Sequence, residues 1–77
     1  MIKVLLFAHL QEEVGENEIM IQEEGMSVVQ LKNWLQDHYQ VSGARNVMVA
    51  INEEYANDDD KIVSGDIVAI IPPVSGG

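Results

Sequence analysis

Gly65-Asp66-Ile67-Val68-Ala69-Ile70-Ile71-Pro72-Pro73 is the stretch on which the fold of this chain turns. The apolar run from Ile67 to Ile71 is short and rich in β-branched side chains, and turn chemistry at Ser64-Gly65-Asp66 and two prolines bound it. A run of that kind reads as a strand flanked on both sides, hence as the centre of a sheet. Neither Pro72 nor Pro73 can donate to a ladder, so the sheet stops there and the chain leaves extended. The partner for such a strand stands at the other end of the sequence. Ile2, Val4, Leu6 and Ala8 alternate with Lys3, Leu5 and Phe7, which predicts a strand with two partly apolar faces. A polar connection around Gly15 leads to Glu18–Gln22, where Ile19 and Ile21 share one side and predict an antiparallel neighbour for the first strand.

The middle of the chain supplies a cover for this sheet. Ser27 with Gln30 three residues on forms a capping box, and Met26 is placed to staple onto Leu31. Val28, Leu31, Trp34, Leu35 and His38 continue one helical face, leaving Gln30, Lys32, Asn33 and Asp37 for water, and Ser42-Gly43 marks the end or the turn soon after. Val47–Ile51 reads as a third strand, Asn52-Glu53 as a tight turn and Glu54–Ala56 as a short returning strand, with 58–65 as loop. This order predicts an α+β roll: a mixed sheet with one main helix packed on one face and the last strand parallel to the first. Residues 1–71 form that single domain and 72–77 an extended tail.

Charge and composition exclude several functions. The chain carries 4 Lys+Arg against 13 Asp+Glu, a net charge of −9, so it lacks the cations that release phosphate counterions, and nucleic-acid binding is rejected. No apolar stretch approaches the ~20 residues that cross a bilayer, and no export signal precedes the first strand; a soluble, cytoplasmic protein is expected. With no cysteine there is neither a disulfide nor a thiol to carry sulfur. No metal is expected: Asp58-Asp59-Asp60 lacks the glycine and distal glutamate of a calcium loop and reads as a solvated turn. His9 and His38 have no further ligands spaced to complete a site, and both read as surface or edge residues. Ser27, Ser42, Ser64 and Ser75 occupy no nucleophile elbow, and no glycine-rich loop with lysine is present to hold ATP. Trp34, Tyr39 and the methionines read as packing residues. The acidic stretches, Glu12 to Glu24 and Glu53 to Asp60, fit either a solvated surface or electrostatic steering toward a basic partner.

The ending Pro72-Pro73-Val74-Ser75-Gly76-Gly77 is the least generic part of the sequence. The prolines favour polyproline II, so little conformational freedom is lost on docking. Six residues at ~3.3 Å each reach roughly 20 Å, enough to thread into a recessed site of another protein. Val74 offers an apolar foothold and Ser75 is small. Gly76 and Gly77 have no Cβ and pass a channel too narrow for any side chain. The chemical group so delivered is the Gly77 carboxylate, inert in water but an acyl donor once ATP converts it to an acyl-adenylate.

Four segments carry a resemblance: Met1–Ala8, Val49-Ala50-Ile51-Asn52, Gly65–Ala69 and Pro72–Gly77. Together they resemble the small subunits of molybdopterin synthase, over essentially the whole chain. That resemblance implies a ubiquitin-like β-grasp fold and the role of a sulfur carrier. A ubiquitin-activating-enzyme-like adenylyltransferase adenylates the C-terminal glycine, here Gly77, and a sulfur donor protein provides the sulfur of a thiocarboxylate. The tail then enters the large synthase subunit and donates sulfur to cyclic pyranopterin monophosphate, building the dithiolene of molybdopterin. The resemblance implies a heterotetramer of two large and two small subunits, in which this chain donates sulfur and the large subunit catalyses. It places Phe7, Tyr55 and Ile71 at the subunit interface, and it implies no cofactor bound by this chain, ATP being held by the activating partner. Two alternatives remain open: a thiamine-type β-grasp sulfur carrier, against which Pro72-Pro73-Val74 argues, and a β-grasp interaction module with an unreactive terminus.

Overall fold

The computed structural model describes residues 1–7, 9–39, 41, 43 and 46–72. Strand β1 (Ile2–Leu6) leads to a short helix α1 (His9–Val14), followed by strands β2 (Glu18–Ile21) and β3 (Gly25–Ser27). The main helix α2 (Val28–Tyr39) comes next, and then β4 (Met48–Ile51), β5 (Glu54–Ala56), β6 (Lys61–Val63) and β7 (Ile67–Ile71). Five strands form one mixed sheet in the order β2-β1-β7-β4-β5, and β3 pairs with β6 in a second, two-stranded sheet. As the apolar run predicted, β7 is central. It lies parallel to β1, with Val4 beside Val68, and antiparallel to β4, with Val49 beside Ile70. Two neighbouring ladders satisfy its backbone, which fixes the direction in which the chain leaves at Pro72.

Alternation along each strand builds the core. Ile2, Val4 and Leu6 of β1, Ile19 and Ile21 of β2, and Val68 and Ile70 of β7 are all buried, and they share one cluster with Val28, Leu31 and Leu35 of α2. The capping box forms as written: the Gln30 amide donates to Ser27 Oγ at 3.2 Å, and the Ser27 amide donates to Gln30 Oε1 at 2.8 Å. Met26 and Trp34 are partly buried against the core. His38 is exposed, and it closes that face of the helix by stacking on Trp34 with ring centroids 4.1 Å apart.

Three elements differ from the sequence reading. The connection around Gly15 contains α1, which buries Leu10 and ends on Gly15. That glycine takes φ +88°, a left-handed cap, while its amide donates to the Gln11 carbonyl at 2.8 Å. Within the expected loop 58–65, Lys61–Val63 is β6, paired antiparallel with β3 so that Met26 faces Ile62. The 58–60 stretch is also more than a solvated turn. The Val28 amide donates to the Asp60 carbonyl, the Val29 amide to the Asp58 carbonyl, and Lys32 forms a 2.9 Å ion pair with Asp58. Lys32, read as solvated, therefore lies along the protein surface and ties α2 to the segment that caps its first turn. Ser42 lies outside the described residues.

Candidate functional site

Period-two alternation also decides what β7 leaves open. Val68 and Ile70 point into the core, whereas Ile67 is 46% exposed and Ala69 and Ile71 are half-buried. The central strand, read as flanked on both sides, is thus flanked by strands at both edges but covered by α2 on one face only. Its other face belongs to an apolar surface that crosses the sheet. Leu5 sits beside Ala69, Ala69 opposite Ala50, and Ala50 opposite Tyr55, giving one transverse row. Met48 sits opposite Ile71 in the next row, and Phe7, one residue past the Leu6–Ile70 pairing, continues it on the far side.

Phe7 is 43% exposed and Tyr55 72% exposed. The structure brings Phe7 and Ile71 together at the end of β7 and places Tyr55 on the same face, two strands away from Ile71. Pro72 comes next, half-buried, and Pro73, Val74, Ser75, Gly76 and Gly77 lie outside the described residues. A groove of about 430 Å³ runs over β1 and β7, lined by Leu5, Phe7, Asn52, Glu53, Ile67 and Ala69. Contiguous exposed apolar surface of this kind marks an interaction site, and its aromatic residues are the side chains that dominate binding energy. Met48 and Ile67 belong to the same face, and sequence reasoning passed over them. Counting by two from Ile71 reaches Ile67; Met48 is reached only through its register with Ile71.

The other end of the groove is held by hydrogen bonds. Asn52 and Glu53 form the β4–β5 turn with φ 51° and 73°, the left-handed pair of a tight hairpin turn. The Asn52 amide donates to the Ile67 carbonyl at 2.8 Å, the Ile67 amide to Asn52 Oδ1 at 3.0 Å, and Asn52 Nδ2 to Asp66 Oδ1 at 3.0 Å. Asp66 Oδ2 accepts from the Val63 amide at 2.9 Å. These bonds, the Val63 amide first and the Asn52 side chain second, hold the Asp66 carboxyl below the usual aspartate range. Chemically, the face offers apolar and aromatic contact area for binding. Among the described residues no three His, Asp or Glu side chains are grouped to hold a metal, and no helix is long and apolar enough to cross a membrane.

Comparison with known proteins agrees with this architecture. The sequence model of the ThiS family matches residues 4–77. The chain belongs to the ThiS family. Among its relatives, it is similar to the molybdopterin synthase sulfur carrier subunit of Dictyostelium discoideum, 40% identical over 97% of this chain and 94% of that protein. Its fold is that of a putative molybdopterin converting factor subunit 1 from Pyrococcus furiosus, with TM-score 0.78, 25% identity and coverage of 95% of this chain and 97% of that one. The fold also recurs, at TM-score 0.61, 21% identity and coverage of 99% and 97%, in a complex of subunits 1 and 2 of the molybdopterin-converting factor from Helicobacter pylori. The mixed sheet, the single main helix and these neighbours make this ThiS-family chain a ubiquitin-like β-grasp protein, as the element order and the resemblance implied.

Proposed function

We propose that this chain is the sulfur carrier subunit of a molybdopterin synthase, acting in the cytoplasm. The Gly77 carboxylate attacks the α-phosphorus of ATP on a ubiquitin-activating-enzyme-like adenylyltransferase, and pyrophosphate leaves. Sulfur supplied by a donor protein then displaces AMP and leaves a thiocarboxylate. The tail, Pro72 to Gly77, enters the large synthase subunit, where the thiocarboxylate sulfur attacks cyclic pyranopterin monophosphate; water then cleaves the acyl–sulfur bond, which leaves the sulfur on the pterin and returns the Gly77 carboxylate. Two such transfers complete the dithiolene, within a heterotetramer of two large and two small subunits. The chain donates sulfur, the large subunit catalyses, and ATP is held by the activating partner.

The observation that carries this reading is where the tail starts. Pro72 continues the central strand directly, and Phe7 and Ile71 surround that point with exposed or half-buried apolar surface. A partner seated on this face is therefore in register to receive the residues beyond Pro72. Similarity to a protein named a sulfur carrier subunit supports the chemistry, and similarity in fold to a chain from a two-subunit complex supports the large-subunit partner.

The test is an intact-mass measurement after incubation with the adenylyltransferase, ATP and the sulfur donor protein. One oxygen exchanged for sulfur at Gly77 is expected, and an unchanged mass leaves only an unreactive interaction module. Adding the large subunit and the pterin precursor then separates the molybdopterin carrier, which yields a dithiolene, from a thiamine-type carrier, which does not. Appending one residue after Gly77 is expected to abolish transfer while the fold persists.

A further inference from the structure

We infer that the free edge of β2 is a docking groove for an extended, Lys/Arg-bearing segment of a partner protein, which adds to the sheet beside β2. Strand β2 is outermost in the sheet. The Leu6 amide donates to the Asn17 carbonyl at 2.9 Å, and Ile19 lies opposite Val4. Antiparallel pairing alternates, so Ile19 and Ile21 turn their backbone groups toward β1, and Glu18 and Met20 turn theirs away from it. Each of these two residues thus presents an N–H and a C=O at the rim of the sheet, the spacing a further strand requires.

A recess lies along this rim. It measures about 830 Å³ and is lined by Glu18, Ile19 and Met20 together with Gln11 and Glu12 of α1 and Tyr39 of α2. Its charge selects the occupant. Glu12, Glu16 and Glu18 line it, all exposed, and among the described residues no Lys or Arg lines it. A second copy of this chain would set the same carboxylates against each other, which like-charge repulsion disfavours. The chain has no basic strand of its own to offer: its 4 Lys+Arg are scattered, and Lys32 is already paired with Asp58. A partner segment with cations at alternate positions, ~6.6 Å apart along a strand, satisfies both the backbone groups and the carboxylates. This edge is separate from the Phe7 and Ile71 face, and the inference does not depend on the tail chemistry.

The experiment is an NMR titration of the isotope-labelled full chain with a short peptide of alternating Lys and Val, and with its Glu/Val counterpart. With the basic peptide, the Glu18 and Met20 amides are expected to shift and to gain protection from hydrogen exchange, with affinity falling as salt rises. A triple variant E12Q/E16Q/E18Q is expected to bind about tenfold more weakly, the sum of three exposed pairs of modest strength. A basic peptide N-methylated at the positions facing Glu18 and Met20 is expected to lose that protection. Equal binding of the acidic peptide overturns the inference. So do shifts spread over Asp58 to Asp60 without protection at Glu18 and Met20, which indicate unspecific attraction. Self-association of the triple variant without peptide binding also overturns it, because the carboxylates then serve only to keep the edge unpaired.

Discussion

Asn52 and Asp66 are joined across the foot of the open sheet face, Asn52 Nδ2 donating to Asp66 Oδ1 at 3.0 Å while Asp66 Oδ2 accepts from the Val63 amide. Both bonds favour the ionised carboxyl, so its pKa is lower in the folded chain than in the unfolded one. A group depressed in this way contributes stability that is fully present above its unfolded pKa and is lost as pH falls through the folded value. Urea unfolding of the protein and of Asp66→Asn across a pH series is therefore expected to show a gap at neutral pH that narrows in acid, below the ordinary aspartate value of 3.8. A gap that stays constant with pH refutes the assignment.

The neighbouring turn residue gives a prediction of opposite sign. Glu53 has φ 73°, a left-handed conformation that disfavours any residue with a Cβ by roughly 1–2 kcal/mol. Glycine there relieves that strain but gives the unfolded chain more freedom, a loss of about 0.5–1 kcal/mol. The strain term is the larger, and Asn-Gly is the preferred pair for this turn. Glu53→Gly is expected to raise the stability by about 0.5 kcal/mol, read as a higher midpoint in thermal or urea unfolding.

At the start of α2, Ser27→Ala removes the acceptor of the Gln30 amide. The loss of one such cap costs about 1 kcal/mol. Because Ser27 also ends β3, whose ladder to β6 uses backbone groups alone, the ladder is expected to survive. Hydrogen exchange should then quicken in the first turn of α2 more than in β3; equal loosening of both would mean that the cap and the ladder form one unit.

Features with a local cause could be read directly from the sequence. The capping box is two side chains three residues apart, the β4–β5 turn is an Asn-Glu pair that directly follows an apolar run, and β7 is announced by its boundaries. Helix α1 escaped because His9–Val14 is too short to show a period and buries only Leu10. Strands β3 and β6 escaped for another reason: three residues each, they are strands only because Gly25 meets Val63 across about half of the chain, a pairing with no local signature. The site was legible in part. Phe7 and Ile71 are reached by alternation, but an apolar run such as Ile67–Ile71 does not say which of its faces is covered. That depends on where the single long helix packs, and α2 covers one face only.

Leu6 and Phe7 are adjacent in sequence and lie on opposite sides of the sheet, 2% and 43% exposed, so the same substitution separates folding from docking. Leu6→Asp places an unpaired charge in the core, which costs several kcal/mol after relaxation. A domain of this length is stable by about 4–12 kcal/mol, so the variant is expected to unfold largely or to melt far below the parent. Phe7→Asp lies one residue past the end of β1 and puts its carboxylate in water, so its melting midpoint should stay close to the parent's. If the open face receives the large subunit, that carboxylate must be desolvated against an apolar partner, and an aromatic anchor worth about 2 kcal/mol or more is lost with it. Calorimetric titration with the large subunit is expected to show binding weaker by tenfold or more for Phe7→Asp, with Lys61→Ala on β6 unchanged. Equal affinity for Phe7→Asp and the parent would move the docking site off this face, because no other exposed aromatic side chain of the described residues stands beside the start of the tail.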